Sequence, residues 1–469
     1  MDTAIDPIAR ETLKQITWRL IPALCLLYIV AYLDRINIGF AALQMNQDLQ
    51  LSAVAYGTGA GLFFLGYVLF EIPSNLILQR LGPRVWIARI MVSWGLISML
   101  MATTRSEQGF YVLRFLLGVA EAGFFPGIIL YLTAWFPARE RAQAIALFAT
   151  ATALAGLIGS PLSGAILQFD GWWGWRGWHW LFVLEGLPAV LLGLVVLVKL
   201  PDGPEKVRWL PPGGCDWLHQ TLRREREAAH SQTRHTLGEA LASGRVWLLG
   251  LVYFCMVIGM YGIGLWLPQM LRALTQVGDI TLGLLNAVPF LAASLGMVLI
   301  GWHSDRRAER RWHIAGALVL AAAGSLLAAQ TATLPLALLA FSLAAVGVWG
   351  VMGPFWALAT SFLSGTAAAG GIALINSLGN VGGFVGPYLM GWFKDLTAGY
   401  GAGLAVVAAI LLLGAVLVLL VRPLRTPGLD QQPSSWRRVV APRAASPTRR
   451  PPFSRGHGEP QRLGDDDVQ

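Results

Sequence analysis

Four ionisable residues lie inside long apolar stretches: Asp34 and Arg35 in the run Tyr32-Leu33-Asp34-Arg35-Ile36-Asn37, and Arg114 and Glu121 in the run from Arg114 to Pro126. An ionisable side chain at bilayer depth is costly, and a functional role for it is the default expectation. The chemistry open to these residue types is non-covalent. A guanidinium stays protonated, and its planar fork grips a carboxylate through two parallel hydrogen bonds. A buried carboxylate responds to desolvation and to neighbouring arginines in opposite senses, so small changes around it move a proton on or off. Protonating such a carboxylate frees its arginine for the anion of a substrate. Arg35 and Arg114 are therefore the candidate substrate contacts, and Glu121 and Asp34 the candidate proton-coupling groups. Glu121, nearer the midplane, is expected to titrate more readily than Asp34. The competing expectation is that the same residues form structural salt bridges between helices.

Other chemistries find no support. No phosphate-binding GxxxxGK[ST] loop occurs. His179, His303 and His313 lack metal-ligand spacing, and no nucleophile, base and orienter can be assembled. An enzyme is not expected, nor a metal or other cofactor; the energy source implied is a proton gradient.

The elements that must carry these residues follow from composition. The chain has 469 residues, of which 55% are hydrophobic and 13% charged, with a mean hydropathy of +0.57. This is an all-α integral membrane protein, not a soluble one. With about 20 apolar residues needed per helical crossing, twelve spans are expected, near 20–41, 57–79, 86–104, 110–135, 142–168, 179–200, 246–271, 281–302, 312–330, 334–362, 368–393 and 402–421. Asp2, Asp6 and Glu11 lie in a polar leader without a cleavage site, so the first span is expected to act as the insertion signal. Arg114 and Glu121, seven residues apart, share a helix face and are ~10 Å apart along the axis.

The net charge of +9 does not point to nucleic acid, because the basic residues occupy alternate connections. Arg80, Arg84, Arg139, Arg141, Arg306, Arg307, Arg310 and Arg311 lie on one side and Arg105, Arg176, Arg272 and Lys394 on the other. By the positive-inside rule both termini are cytoplasmic. Cys25, Cys215 and Cys255 imply no disulfide framework.

Two halves repeat one another. The turn Gln79-Arg80-Leu81-Gly82-Pro83-Arg84 has its counterpart in Gly301 to Arg307, and Gly156, Gly159, Pro161 and Gly164 are echoed by Gly382, Gly383, Gly386, Pro387 and Gly391. These glycines are expected to serve close packing or hinges. The organisation expected is a cytoplasmic leader (1–19), a six-helix bundle (20–200), a cytoplasmic central loop (201–245), a second six-helix bundle (246–424) and a disordered basic tail (425–469), with a site between the pseudo-symmetric halves. Leu222 to Ala229 is expected to form a surface helix attracted to anionic lipid, and Trp172 to Trp180 an interfacial aromatic belt. Glu71, near a helix end, is expected to be structural.

The run Tyr32 to Gly39, the run Arg114 to Gly127, Trp180 to Pro188, Asn376 to Asn380 and Gly383 to Pro387 together resemble the anion:cation symporters of the major facilitator superfamily, over roughly residues 15–425. The resemblance implies the major facilitator fold and proton-coupled uptake of a small organic carboxylate, such as a sugar acid, tartrate or an aromatic acid. It implies a monomer in the bacterial inner membrane, with the organic anion, protons and lipid as its partners. It places Asp34 and Glu121 on the family's protonatable carboxylates and Arg35 and Arg114 on its membrane arginines. It also places Tyr32, Tyr67, Trp356 and Asn376 on substrate contacts, and Arg80, Arg84, Asp305 and Arg306 in gating loops. Gln79 stands where the superfamily usually has Asp, so the first-half gating interaction is expected to be weaker. An organic-anion exchanger or facilitator, and a membrane sensor of organic acids, are the competing functions.

Overall fold

A computed structural model describes residues 7–231, 242–361 and 365–421. The expected tail (425–469), part of the central connection (232–241) and the first residues of the leader lie outside the described residues. Helices make up the described structure, and no strand occurs among those residues.

The first half comprises α1 (Pro7–Ile36), α2 (Ile38–Asp48), α3 (Ala53–Leu81), α4 (Pro83–Met101), α5 (Glu107–Glu121), α6 (Phe124–Leu132), α7 (Ala138–Ala149), α8 (Ala151–Ile166) and α9 (Gly177–Lys199). The connection carries α10 (Gly214–Ser231). The second half comprises α11 (Gly244–Gly264), α12 (Leu267–Arg272), α13 (Asp279–Arg307), α14 (Arg311–Gln330), α15 (Leu334–Gly350), α16 (Met352–Ser361), α17 (Gly365–Thr397) and α18 (Gly401–Leu420). Among the described residues, eleven helical stretches are long and apolar enough to cross a membrane, with α1–α2, α5–α6 and α15–α16 each counted as one. The eleventh expected span (368–393) falls in α17, which is 33 residues long but diluted in hydropathy by Asn376, Asn380 and its glycines.

A helix satisfies its backbone internally, which is why apolar sequence in lipid takes this form. Leu194, Val195 and Val198 of α9, Val298 and Leu299 of α13, and Val416 and Leu420 of α18 are all exposed. In water such faces would be liabilities; in lipid they are the outer wall.

Three expectations change. The first helix begins at Pro7, well inside the expected polar leader, because Ala9, Thr12 and Ile16 are buried where α1 packs on α10. That same packing turns Leu218 and Leu222 of α10 into the protein, and Glu225 accepts hydrogen bonds from the Ala138 N–H at 3.0 and 3.2 Å. The aromatic belt is also divided: Trp172, Trp173 and Trp175 are exposed, whereas Trp178 is buried and donates to Asp48 at 2.7 Å.

Several spans are interrupted. The first is interrupted at Asn37, which separates α1 from α2 two residues after Arg35 while keeping helical dihedrals (φ −58°, ψ −27°). The fourth breaks at Ala122 and Gly123, directly after Glu121, with Gly123 at φ +85°. Ser74 lies where a Cβ on Gly123 would project, so both backbone and space call for glycine there. Irregular backbone at membrane depth is tolerated where it is buried in protein, and transporters use it to build sites.

The halves meet through α3 against α17 and α8 against α13, pairs that correspond under the internal repeat. Gly57 lies on the Pro387 carbonyl and Gly283 on the Ser160 carbonyl, close approaches that only small residues permit. At the end of the bundle away from α10, Asp395 of α17 caps α3 of the other half, accepting from the Ala53 and Val54 N–H groups at 3.1 and 2.8 Å. Tyr56 Oη donates to the Leu265 carbonyl at 2.8 Å, and Asn46 to Gln269 at 3.3 Å, at the same end. A carboxylate at a helix N-terminus gains from both capping and the helix dipole. Asp395→Asn is expected to weaken this closure by about 1 kcal/mol, raising the population open at that end about fivefold. The labelling rate of a cysteine placed at Asn46 with a membrane-impermeant maleimide, in a background lacking Cys25, Cys215 and Cys255, reads the change. An unaltered rate would show that the cap does not hold the halves together.

Candidate functional site

Arg35 sits in the last turn of α1, buried at 8% exposure, and its surroundings come from both halves. Nη2 pairs with Glu121 Oε1 at the end of α5. Nη1 donates to Tyr261 Oη of α11 at 3.1 Å. The guanidinium lies over the rings of Phe63 and Tyr67 of α3, at 5.1 and 5.4 Å from their centroids. Its Nε has no partner. A cation held by one carboxylate, one phenol and two aromatic faces still has donor capacity to offer.

The wall around it is aromatic. Tyr28 and Tyr32 lie one helical turn apart with centroids 6.4 Å apart, and Tyr28 also contacts Phe124, Phe125 and Phe148. Phe64 meets Tyr261 across the halves at 4.3 Å. Trp356, half-buried on α16, packs edge-on to Tyr253 at 5.2 Å.

Glu71 belongs to this region although its position in the sequence marked it only as structural. It is 4% exposed and its Oε1 accepts from Asn376 Nδ2 of α17 at 2.6 Å, across the halves. Its Oε2 is buried without a partner. Glu71 follows Tyr67 by one helical turn, so it shares the face that carries the site, a periodicity signal legible in the sequence. Tyr261 could be found only as an aromatic in a span; nothing in the spacing links it to Arg35.

The four ionisable residues, expected to serve substrate and proton together, do not converge in one cavity. Arg35 and Glu121 pair. Arg114 is fully buried and turned to α3, donating from Nε to the Gly59 carbonyl at 3.4 Å and from Nη2 to the Ala60 carbonyl at 3.1 Å. It reaches the site only through Phe63, over whose ring it lies at 5.2 Å. Asp34 faces different elements from Arg35, since neighbouring residues on a helix diverge by about 100°. It accepts from Trp94 Nε1 at 2.7 Å, Ser98 Oγ at 2.6 Å and Asn37 Nδ2 at 3.2 Å.

A profile of the Major Facilitator Superfamily matches residues 24–387 and 249–456. The chain belongs to the Major Facilitator Superfamily. A protein of Agrobacterium vitis named for tartrate transport is 50% identical over 415 residues, covering 88% of this chain and 92% of that one. The inner membrane transport protein RhmT of Escherichia coli is 41% identical over 413 residues, covering 87% and 94%. Among solved structures, a bacterial homologue of the human lysosomal transporter Spinster, titled as inward-facing and unoccupied, superposes with a TM-score of 0.71 at 19% identity, covering 87% and 97%. That likeness concerns the fold. As a member of this superfamily the chain is a transport protein, not an enzyme.

The loop residues of this major facilitator chain take local partners. Arg84 lies 3.6 Å from Asp202, after α9, so a carboxylate from elsewhere in the chain stands by the first-half turn where Gln79 supplies none. Asp305 pairs with Arg310 at 2.5 Å, Arg306 lies over the Trp302 ring at 5.3 Å, and Arg80 is exposed. At the α13–α14 turn His303 and His313 hydrogen-bond at 2.7 Å, and His313 contacts Glu309 at 2.7 Å. Among the described residues no group of three or more His, Cys, Asp or Glu is arranged to hold a metal. Burial pushes the Glu309 carboxyl up, but hydrogen bonds from the Trp312 and His313 N–H groups and from the His313 ring outweigh it and leave it below its ordinary value.

Proposed function

We propose that the chain carries a small organic carboxylate, with tartrate the leading candidate, into the cell together with protons by alternating access. The observation that carries this reading is the buried Arg35–Glu121 pair, at the end of one broken helix and directly before the break of another, with Tyr261 of the second half on the same guanidinium. With Glu121 ionised, Arg35 is occupied; with Glu121 protonated, the fork is released to a substrate carboxylate. Proton and anion therefore bind together, and the energy is that of the proton gradient, with no cofactor. Arg35 is the anchor. Tyr67 and Asn376 contribute hydrogen bonds, and Tyr32 and Trp356 line the volume. Arg114 adds positive potential from behind Phe63. Glu121 carries the coupling proton, and Asp34 acts from outside the substrate volume. Arg80, Arg84, Asp305 and Arg306 serve the loops that close the basic side. The alternation of basic loops and the name of the Escherichia coli relative support the bacterial inner membrane with both termini cytoplasmic.

In proteoliposomes with an acidic exterior, tartrate is expected to accumulate above its external concentration and to leak out when a protonophore is added. Sugar acids and aromatic acids offered as competitors define the substrate class. Uptake only in exchange for preloaded anion, indifferent to the pH gradient, would assign the same arginine to an exchanger instead.

A further inference from the structure

The first half holds a second set of buried polar groups, separate from Arg35, where α1, α4, α8 and α9 meet. Asp34 is satisfied there by three neutral donors, Trp94, Ser98 and Asn37. Glu185 of α9 is 3% exposed. Its Oε1 accepts from Ser163 Oγ at 2.7 Å, and its Oε2 is buried with no partner. Asn37 Oδ1 is buried with no partner as well. Asn37 and Asp34 from the end of α1 and Ser163 from α8 are the side chains that act on Glu185. Among the described residues the elements packed on this stretch of α9 bring one titratable group to it, Asp34; α4 brings Trp94 and Ser98, and none of them is a cation.

Two orphaned acceptors in one buried cluster amount to a deficit of one hydrogen. A carboxylate without a counter-charge in an apolar bundle supplies that hydrogen most economically by being protonated. We propose that Glu185 holds a proton, donating its O–H to Asn37 Oδ1, and that Glu185, Asn37 and Asp34 form a second proton-binding site apart from the Arg35–Glu121 pair.

The amide is what links the two acids. The Asn37 oxygen has no donor in the structure while its NH2 serves Asp34, and a protonated Glu185 supplies the donor it lacks. When Glu185 gives its proton to water, its carboxylate needs a donor, and turning the Asn37 amide over supplies one. That turn withdraws a donor from Asp34 and presents it with a carbonyl oxygen, so Asp34 takes a proton from water in its place. The site then holds one proton on one acid or the other, the orientation of Asn37 reports which, and a proton crosses the membrane when Glu185 and Asp34 exchange with water on opposite sides of it. Asn37 also separates α1 from α2, two residues after Arg35, so the flip occurs beside the anchor.

That Glu185 is protonated does not depend on the transport reading; its use in coupling rests on it. Infrared difference spectra of the full chain in lipid at neutral pH are expected to show a buried carboxylic-acid C=O band that is lost in Glu185→Gln. A spectrum unchanged by the substitution overturns the protonation. In proteoliposomes, loss of one coupled proton is expected to lower the accumulation ratio, scaled to each variant's own counterflow, about tenfold for about one unit of imposed pH gradient. A ratio equal to that of the parent overturns the coupling role. If the parent itself ignores the gradient, the symport reading fails while the infrared result still decides the protonation. Should Glu185→Gln not insert, Asn37→Ala is expected to shift the pH at which the C=O band appears, and an unshifted titration overturns the link between the two acids.

Discussion

Arg35→Lys is expected to lose most of its substrate affinity while leaving the protein folded. The lysine keeps the positive charge, so Glu121 retains a counter-charge. Removing Arg35 altogether would leave a buried carboxylate uncompensated, which typically costs about 3–5 kcal/mol and confounds binding with folding. What lysine cannot reproduce is the fork. In the structure one nitrogen of the guanidinium pairs with Glu121 and another donates to Tyr261 of the opposite half, while its plane lies over Phe63 and Tyr67. An ammonium is a compact point charge without planar donors or a stacking face. A hydrogen bond to a charged group is worth about 1.5–3 kcal/mol, so the loss in affinity for tartrate is expected to be about 10- to 100-fold. Calorimetry on purified protein measures it, with a thermal melt to show that folding is intact. Affinity within about twofold of the parent would remove Arg35 from the role of anchor.

Much of the candidate site is legible in the sequence. Asp34, Arg35, Arg114 and Glu121 are conspicuous because apolar sequence isolates them, and counting along two helices puts Arg114 at about the depth of Arg35, with Glu121 nearer the midplane. What depth does not contain is azimuth relative to a neighbour. Arg114 has the right height, yet it is turned to the Gly59 and Ala60 carbonyls, which glycine-rich α3 exposes by approaching α5 closely. Asp34 and Arg35 are adjacent in the chain and face different elements, so their proximity in sequence overstated their partnership. The interruptions at Asn37 and Gly123 are not legible because hydropathy runs through both; Asn37 keeps helical dihedrals, and only the φ of Gly123 and the packing of Ser74 disclose the second one. The twofold repeat of six spans is legible from the echoed glycines, several of which serve close backbone contact, as Gly164 does on the Asp279 carbonyl and Gly391 on the Ala53 carbonyl. Glu71 shows the opposite failure. Its partner Asn376 lies 305 positions away, and no local pattern announces such a pair.

Glu121→Gln carries the strongest expectation for mechanism. Glutamine is close in shape to a protonated glutamate, and it cannot be charged. Arg35 then has no carboxylate to compete with the substrate, so the anion site is permanently in the state that protonation otherwise creates. Substrate binding is expected to lose its dependence on pH, and transport to lose its dependence on the pH gradient. With one obligatory proton removed, the limiting accumulation ratio falls about tenfold for each unit of pH difference imposed. The cost lies in release. Under the proposed mechanism, proton loss to the alkaline interior in the parent restores the Glu121 carboxylate, which reclaims Arg35 and displaces the anion; the variant has no such competitor, and its turnover is expected to slow as its affinity rises. Binding and driven uptake should therefore move in opposite directions, an outcome that a salt bridge serving only to join α1 to α5 does not produce, because breaking such a bridge weakens both. Calorimetry across a pH series, paired with proteoliposome uptake with and without a gradient, separates the two. Parallel losses in binding and uptake would return the Arg35–Glu121 pair to a structural role.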